Sequence, residues 1–153
     1  MKRLFLVLFV FGFISCSADK KQQDKEFIEQ MERSTLSDVK VISYEKADSL
    51  INGYLNYVKN YPEDSLCATY LYRAADVYAN TKRCIESIKT YDRLIAEYPD
   101  NVLVESAYFL KGIVFSQTCL NKEKAAEAFT LFIEKYPNSN LCDQARTLLI
   151  MDT

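Results

Sequence analysis

The 153-residue sequence contains no histidine, only three glycines and three prolines, and no C-x-x-C pair among its five cysteines. The lack of imidazole excludes Ser-His-Asp and Cys-His catalysis and every zinc site that uses histidine. The scarcity of glycine and proline argues against an all-β fold with many tight turns. A thioredoxin-like redox site and a glycine-rich phosphate loop are also missing. We therefore expect a protein that is not an enzyme and that uses no metal and no cofactor.

Charge of neither sign dominates, because 19 basic residues stand against 21 acidic ones, a formal net charge of -2. This balance leaves no electrostatic footprint for nucleic acid. The carboxylates are scattered without a pair that spacing singles out for glycoside hydrolysis. Hydrophobic residues make up 49% of the chain, which is enough to bury the core of a single domain with short appendages. We expect neither nucleic acid nor a small-molecule substrate among its ligands.

The first fifteen residues have the pattern of an export signal. Lys2 and Arg3 precede an uninterrupted apolar run over residues 4–13, which is shorter than the roughly 20 residues that span a bilayer but fits the core of a signal peptide. The run closes in Phe13-Ile14-Ser15-Cys16, which resembles the lipobox of bacterial lipoproteins. That resemblance implies removal of residues 1–15 and acylation of Cys16. An ordinary secretory signal, in which Cys16 is incidental, is the alternative.

The lipobox resemblance also implies a location in the cell envelope. Multiple acyl chains anchor a protein stably to a membrane, and in that family an Asp after the modified cysteine retains the protein in the inner membrane. Ser17 stands at this position. We therefore expect a lipid-anchored protein on the periplasmic face of the outer membrane of a Gram-negative bacterium.

Residues 16–42 are predicted to form the lipidated N-terminus and a polar tether. Between residues 17 and 34, lysine, glutamine and acidic residues predominate, and the large apolar groups are Phe27, Ile28 and Met31. These three fall on one helical face. A flexible leash and a segment that becomes helical around them are both compatible with this composition.

Three Tyr-Pro pairs divide the rest of the chain, with prolines at positions 62, 99 and 137 and separations of 37 and 38 residues. Each proline has an aromatic residue eight places before it and a β-branched residue four places before it, which share one helix face. Proline disfavours helix in the residue before it and ends the pattern. Internal periods of this size indicate stacked helical repeats.

Between successive prolines the pattern splits into two helices joined by a short turn. The apolar spacing predicts helices over residues 66–80 and 85–98, and again over residues 103–117 and 123–136. Short links between helices of similar length make antiparallel hairpins, and no stretch shows the alternation of a strand. The sequence therefore predicts an all-α domain over residues 43–153, built from stacked antiparallel helix hairpins.

These hairpins resemble the tetratricopeptide repeat family. Each first helix has a bulky residue, a small residue four places on and an aromatic three places further, and each second helix has a small residue followed by an aromatic. The resemblance implies a TPR-like α-solenoid with a right-handed superhelix. Long units that end in Tyr-Pro, together with the lipobox, resemble the BamD/YbgF-like periplasmic subgroup. The implied packing positions are Leu71, Ala75, Tyr78, Tyr91, Tyr108, Gly112, Phe115, Ala125 and Phe129.

In this family, first-helix residues that point away from the second helix contact the ligand. The resemblance implies a scaffold for a protein or peptide partner in the cell envelope, in outer-membrane protein assembly or alternatively in Tol-Pal, cell division or secretion machinery. A spacer that binds no partner, or a groove filled by the segment around Phe27 to Met31, is the other possibility. The implied groove positions are Tyr72, Asp76, Asn80, Phe109, Ile113 and Gln117.

Four cysteines remain after Cys16. Cys67 and Cys142 both stand five places after a proline, two units apart, so stacking should separate them beyond disulfide reach. Cys84 and Cys119 lie near the turns of adjacent units, at the same end of the stack, and an oxidising compartment would preserve a bridge between them. The alternative is that all four are small buried hydrophobic side chains.

Overall fold

The computed structural model describes residues 12–36 and 43–152, and within these residues every element of regular secondary structure is helical. Successive helices pack against one another, which confirms the predicted all-α stack of helix hairpins. Residues 1–11 of the predicted signal peptide lie outside the described residues. The elements are α1 (Gly12–Leu36), α2 (Tyr44–Asn60), α3 (Leu66–Asn80), α4 (Cys84–Glu97), α5 (Leu103–Ile113), a π-helical segment (Val114–Thr118), α6 (Lys122–Lys135) and α7 (Cys142–Asp152).

The helices α2, α4 and α6 all end in the same way. The tyrosine before each proline leaves the helical conformation, with φ and ψ of -135° and 54° at Tyr61, -133° and 56° at Tyr98, and -127° and 59° at Tyr136. Each tyrosine N–H still donates to the carbonyl four residues earlier. Proline excludes the helical conformation from the residue before it, so the Tyr-Pro pairs set the three helix ends.

The 38-residue spacing differs from the 37-residue spacing by one residue, which the π-helical segment absorbs. There the N–H of Cys119 donates to the carbonyl of Val114, five residues earlier, at 2.9 Å. Such a wide turn accommodates an inserted residue without ending the helix. The turn after α3 and the turn after the π-helical segment are equivalent. Each contains one residue in the left-handed region, Lys82 with φ 62° and Leu120 with φ 53°.

Small side chains let the two helices of each hairpin approach closely. Ser87 on α4 is fully buried, and its hydroxyl donates to the carbonyl of Ala75 on α3 at 2.9 Å. In the next hairpin, Gly112 on α5 faces the ring of Phe129 on α6. Of the packing positions expected from the sequence, Tyr78, Tyr108 and Phe115 are partly buried and the others are buried.

The hydrophobic core is divided at α5. One cluster joins α1, α2, α3 and α4 to the face of α5 that carries Ala107. The other lies between the opposite face of α5, α6 and α7, around Phe109, Phe129 and Phe132. The division therefore runs through α5 itself, between the face that packs on the second hairpin and the face that packs on α6 and α7.

The segment predicted to be a polar tether instead forms most of α1, which packs against α2. Ile28 is 1% exposed, and a β-carbon at Gly53 of α2 would stand 3.3 Å from Ile28 Cγ1. Ile28 and Met31 thus supply a docking face, whereas Phe27 is half exposed, and α1 and α2 form an additional hairpin. The flexible-leash prediction is wrong for residues 19–35. Within the described ranges, no helix is long and apolar enough to cross a bilayer.

Polar contacts fix the direction of α1, which runs antiparallel to α2. Near its N-terminal end, Asp24 accepts a hydrogen bond from the Tyr61 hydroxyl at 2.8 Å, and Lys21 pairs with Asp64. Near its C-terminal end, Glu32 accepts a hydrogen bond from the Tyr54 hydroxyl at 2.6 Å. The N-terminal end of α1 therefore lies beside the first Tyr-Pro loop.

Candidate functional site

A pocket of about 460 Å³ opens between α1 and α3, the first helices of two successive hairpins, with α2 behind it. Leu50 and Val77 supply apolar surface, while charged and amide groups stand around them. The pocket lies on the first-helix side of the stack, where the sequence predicts a groove. Its lining residues are Glu32, Thr35, Leu50, Tyr54, Arg73, Asp76, Val77 and Asn80.

One wall of the pocket is fixed by a three-residue polar cluster. The Glu32 carboxylate accepts a hydrogen bond from Tyr54 and pairs with Arg73, so α1 is held to both α2 and α3. Burial, reinforced by Glu32, raises the pKa of the Tyr54 hydroxyl. Burial alone would lower the pKa of Arg73, but the hydrogen bond and charge attraction of Glu32, together with Tyr54, outweigh burial and raise the pKa. Arg73 thus stays charged at neutral pH and remains paired with Glu32.

The opposite wall carries a carboxylate that is held in an apolar setting. Asp76 accepts a hydrogen bond from the Tyr91 hydroxyl, and the Tyr91 ring meets the edge of Tyr72, with 5.8 Å between ring centroids. Burial raises the pKa of Asp76 more than the hydrogen bond from Tyr91 lowers it. Asn80, one turn further along α3, is exposed at the rim. This wall therefore presents carboxylate and amide oxygens to a bound partner.

The arrangement suits recognition better than catalysis. Apolar side chains surrounded by charged and amide groups are typical of a peptide-binding surface, where the apolar part anchors and the rim orients. Within the part of the chain that the structure describes, no cluster of cysteine and carboxylate side chains could hold a metal ion.

The structure distributes the six predicted groove residues over three environments. Asp76 and Asn80 line the pocket. Gln117 is exposed on the π-helical segment, while Ile113 is partly buried against the second core cluster. Tyr72 and Phe109 occupy equivalent positions and make packing contacts instead.

The placement of Phe109 in an open groove is wrong. Its side chain is 6% exposed, and its ring lies 5.9 Å from that of Phe129 and 5.5 Å from that of Phe132, between centroids. The pair Tyr72–Tyr91 repeats this arrangement in the preceding hairpin. Each hairpin therefore uses this position to pack its two helices together, which counting outward from the small residues did not reveal.

Six lining residues were not among the predicted groove positions. Glu32 and Thr35 come from the segment interpreted as a tether, although both continue the helical spacing that begins at Ile28. That spacing was the signal in the sequence that could have placed them beside the repeats. The full set is Glu32, Thr35, Leu50, Tyr54, Arg73 and Val77.

The cysteines fall into one bridged pair and two buried thiols. Cys84 and Cys119 form a disulfide between adjacent turns, with 5.2 Å between their Cα atoms. Cys67 and Cys142 are buried, and the Sγ of each donates to the carbonyl of the tyrosine before the preceding proline at 3.0 Å. Burial raises the pKa of the Cys67 thiol. The bridge joins the turn of the second hairpin to the turn of the third.

Comparison with known families finds a match over the two central hairpins. The sequence profile of the family described as Tetratricopeptide repeat matches residues 69–101 and 106–139, which correspond closely to α3–α4 and α5–α6. Over these residues the chain is similar to two tetratricopeptide repeats. Repeats of this family are typically non-catalytic interaction scaffolds, so they imply protein or peptide partners. No curated protein matches the chain.

Proposed function

We propose that this protein is a lipoprotein of the cell envelope, acylated at Cys16 and anchored on the periplasmic face of the outer membrane, whose tetratricopeptide repeats hold a protein partner. The observation that carries the scaffold role is the pocket between α1 and α3. It combines apolar surface with a rim that includes Asp76 and Asn80, and it lies on the face that repeats of this family use for ligands.

Support for the anchor comes from the sequence. The basic residues Lys2 and Arg3, the apolar run of residues 4–13 and the closing Phe13-Ile14-Ser15-Cys16 stand in the order that lipoprotein export requires. Ser17 favours the outer membrane over the inner one. A Cys16→Ala variant should lose incorporation of labelled fatty acid, and continued incorporation would contradict the anchor.

We propose that the scaffold serves outer-membrane protein assembly. Repeat units of 37 and 38 residues that end in Tyr-Pro, behind a lipobox, resemble the BamD/YbgF-like periplasmic subgroup. A role beside the Tol-Pal, cell-division or secretion machinery would use the same surface with another partner. A structural spacer would leave the pocket without a protein ligand.

The experiment that tests the scaffold is crosslinking in intact membranes with a matched pair of variants. Asn80→Arg places a long cation at the pocket rim, whereas Asn140→Arg makes the same change at an exposed site before α7. We expect Asn80→Arg to reduce the captured partner at least tenfold and Asn140→Arg to leave it unchanged. Equal capture by both variants would contradict the pocket as binding site, and the absence of any crosslinked partner would favour the spacer.

A further inference from the structure

The antiparallel stack has two edges, each formed by the segments that join successive helices. The Tyr-Pro edge consists of the loops over residues 61–65, 98–102 and 136–141, where α2, α4 and α6 end and the next helices begin. These loops are adjacent, since the Tyr98 hydroxyl donates to the carbonyl of Pro62 at 2.9 Å. The turn edge, at the opposite ends of the helices, consists of the turns over residues 81–83 and 119–121.

The N-terminal part of α1 is fastened to the Tyr-Pro edge. Lys21 pairs with Asp64 inside the first loop, and Lys25 stands 3.8 Å from the same carboxylate. Hydrogen bonds from Lys21 and from the backbone N–H of Leu66 lower the pKa of Asp64 against the opposing effect of burial, so the carboxylate is ionised at neutral pH. The polypeptide leading back to Cys16 therefore starts from this edge.

The chain between this attachment and the lipobox cysteine is short. Cys16 precedes Lys21 by five residues, which span about 7.5 Å as a helix and at most about 17 Å fully extended. By comparison, the 15 residues of α3 separate the two edges by about 22 Å. Acyl chains on Cys16 would thus reach a bilayer that lies against the Tyr-Pro edge, with the turn edge on the far side.

From this geometry we propose that the Tyr-Pro edge is a membrane-facing surface that rests on zwitterionic phospholipid headgroups. The proposal depends on the lipid anchor proposed above and adds an orientation to it. The anchored protein stands against the bilayer, and its turn edge, with the Cys84–Cys119 bridge, points into the aqueous space.

The composition of the Tyr-Pro edge fits this occupant. Val102 at the tip of the second loop is 89% exposed, and no core contact explains an apolar group there. Lys59 and Lys135 at the ends of α2 and α6 can meet lipid phosphates, while acidic Glu63 and Asp100 in the loops can meet lipid amines. These positive and negative side chains around the exposed Val102 complement zwitterionic headgroups, which also carry both charges. The acidic side chains would be repelled by a strongly anionic membrane.

The test is photocrosslinking of the full, acylated chain in vesicles of phosphatidylethanolamine and phosphatidylcholine. The photoreactive residue p-benzoylphenylalanine replaces either Val102 on the Tyr-Pro edge or Leu120 on the turn edge. These are matched sites, since both are aliphatic loop residues and Leu120 is 80% exposed. We expect lipid adducts to form at least fivefold more at position 102 than at position 120, measured by mass spectrometry.

A second variant tests whether the short attachment causes this difference. Ten Gly-Ser residues inserted after Ala18 add roughly 18 Å of flexible reach and should bring the two adduct yields together while the protein still floats with the vesicles. Suppose that the chain without the insertion is acylated and bound to vesicles but gives equal adduct yields at positions 102 and 120. The proposed orientation is then wrong, and the anchor stands. If the chain carries no acyl mass, both the anchor and the orientation are wrong.

Discussion

The ring of Phe129 on α6 lies against the backbone of Gly112 on α5, so closely that a β-carbon at position 112 would stand 2.6 Å from Phe129 Cδ1. Real β-carbons essentially never show such a contact. Phe129 is itself completely buried. This pair therefore sets the distance between the two helices of the third hairpin.

Gly112→Leu should destabilise the protein by at least about 1–3 kcal/mol, the usual cost of overpacking a core. Ala96→Leu on the exposed side of α4 adds a comparable side chain without a packing conflict and serves as the control. Urea unfolding followed by circular dichroism measures both. Equal midpoints for Gly112→Leu and wild type would show that the α5–α6 contact is not as close as described.

A double-mutant cycle identifies Phe129 as the conflicting side chain. Phe129→Ala alone should cost about 3–5 kcal/mol by leaving a cavity. In that background Gly112→Leu enters the vacated space, so its additional cost should shrink or reverse sign. Strict additivity of the two changes would contradict a direct conflict between the two positions.

The repeat architecture could be predicted because its determinants are local in sequence. The Tyr-Pro pairs end helices through a restriction on one neighbouring residue, and the apolar spacing of each helix is visible within a few turns. The groove was harder to predict, because the exposure of Tyr72 and Phe109 depends on which rings the partner helix presents. Tyr91 and Phe129, about twenty residues away in sequence, cover them.

The docking of α1 could not be read from composition for a similar reason. Its polar residues look solvated until their partners are known, and those partners are distant: Asp24 meets Tyr61, and Glu32 meets Arg73. Three apolar residues on one face were the available signal. The pocket between α1 and α3 depends on this docking, so most of its lining escaped prediction.

Removal of the Cys84–Cys119 bridge should lower stability by about 3–4 kcal/mol, because the bridge closes a 35-residue separation and restricts the unfolded chain. It also joins the second hairpin to the third, so α5 and α6 should be affected most. Thermal unfolding with and without reductant measures the effect. The Cys84→Ser/Cys119→Ser variant is the control and should not respond to reductant, and a wild-type midpoint that survives verified reduction would contradict the prediction.

Asp76→Asn should stabilise the protein at neutral pH. Because burial raises the folded-state pKa of Asp76, the folded protein binds this proton more tightly than the unfolded chain does. Stability therefore falls as pH rises from the ordinary value of about 3.9 through the raised folded-state value, and the loss persists above it. Asparagine avoids this loss and can still accept the hydrogen bond from Tyr91.

The measurement for Asp76 is urea unfolding of wild type and Asp76→Asn at a series of pH values from 3 to 7. The stability advantage of the variant should grow with pH. Asp100→Asn, which removes one negative charge from an exposed loop, controls for the change in net charge. An advantage that is constant over the whole pH range would contradict the burial effect.

Ile28→Ala should detach α1 from the repeats. Ile28 is fully buried against α2, whereas its neighbour Phe27 is 52% exposed, so Phe27→Ala is the matched control. Truncation of a buried isoleucine costs about 2–5 kcal/mol of folding free energy. For α1 to stay docked, its contacts with Tyr54, Tyr61 and Arg73 would have to offset this loss. We expect hydrogen exchange of the α1 amides to accelerate strongly in Ile28→Ala and little in Phe27→Ala, while α5 and α6 remain protected. Similar exchange in both variants would mean that the polar contacts alone hold α1, and the wall of the pocket would then not depend on its apolar stripe.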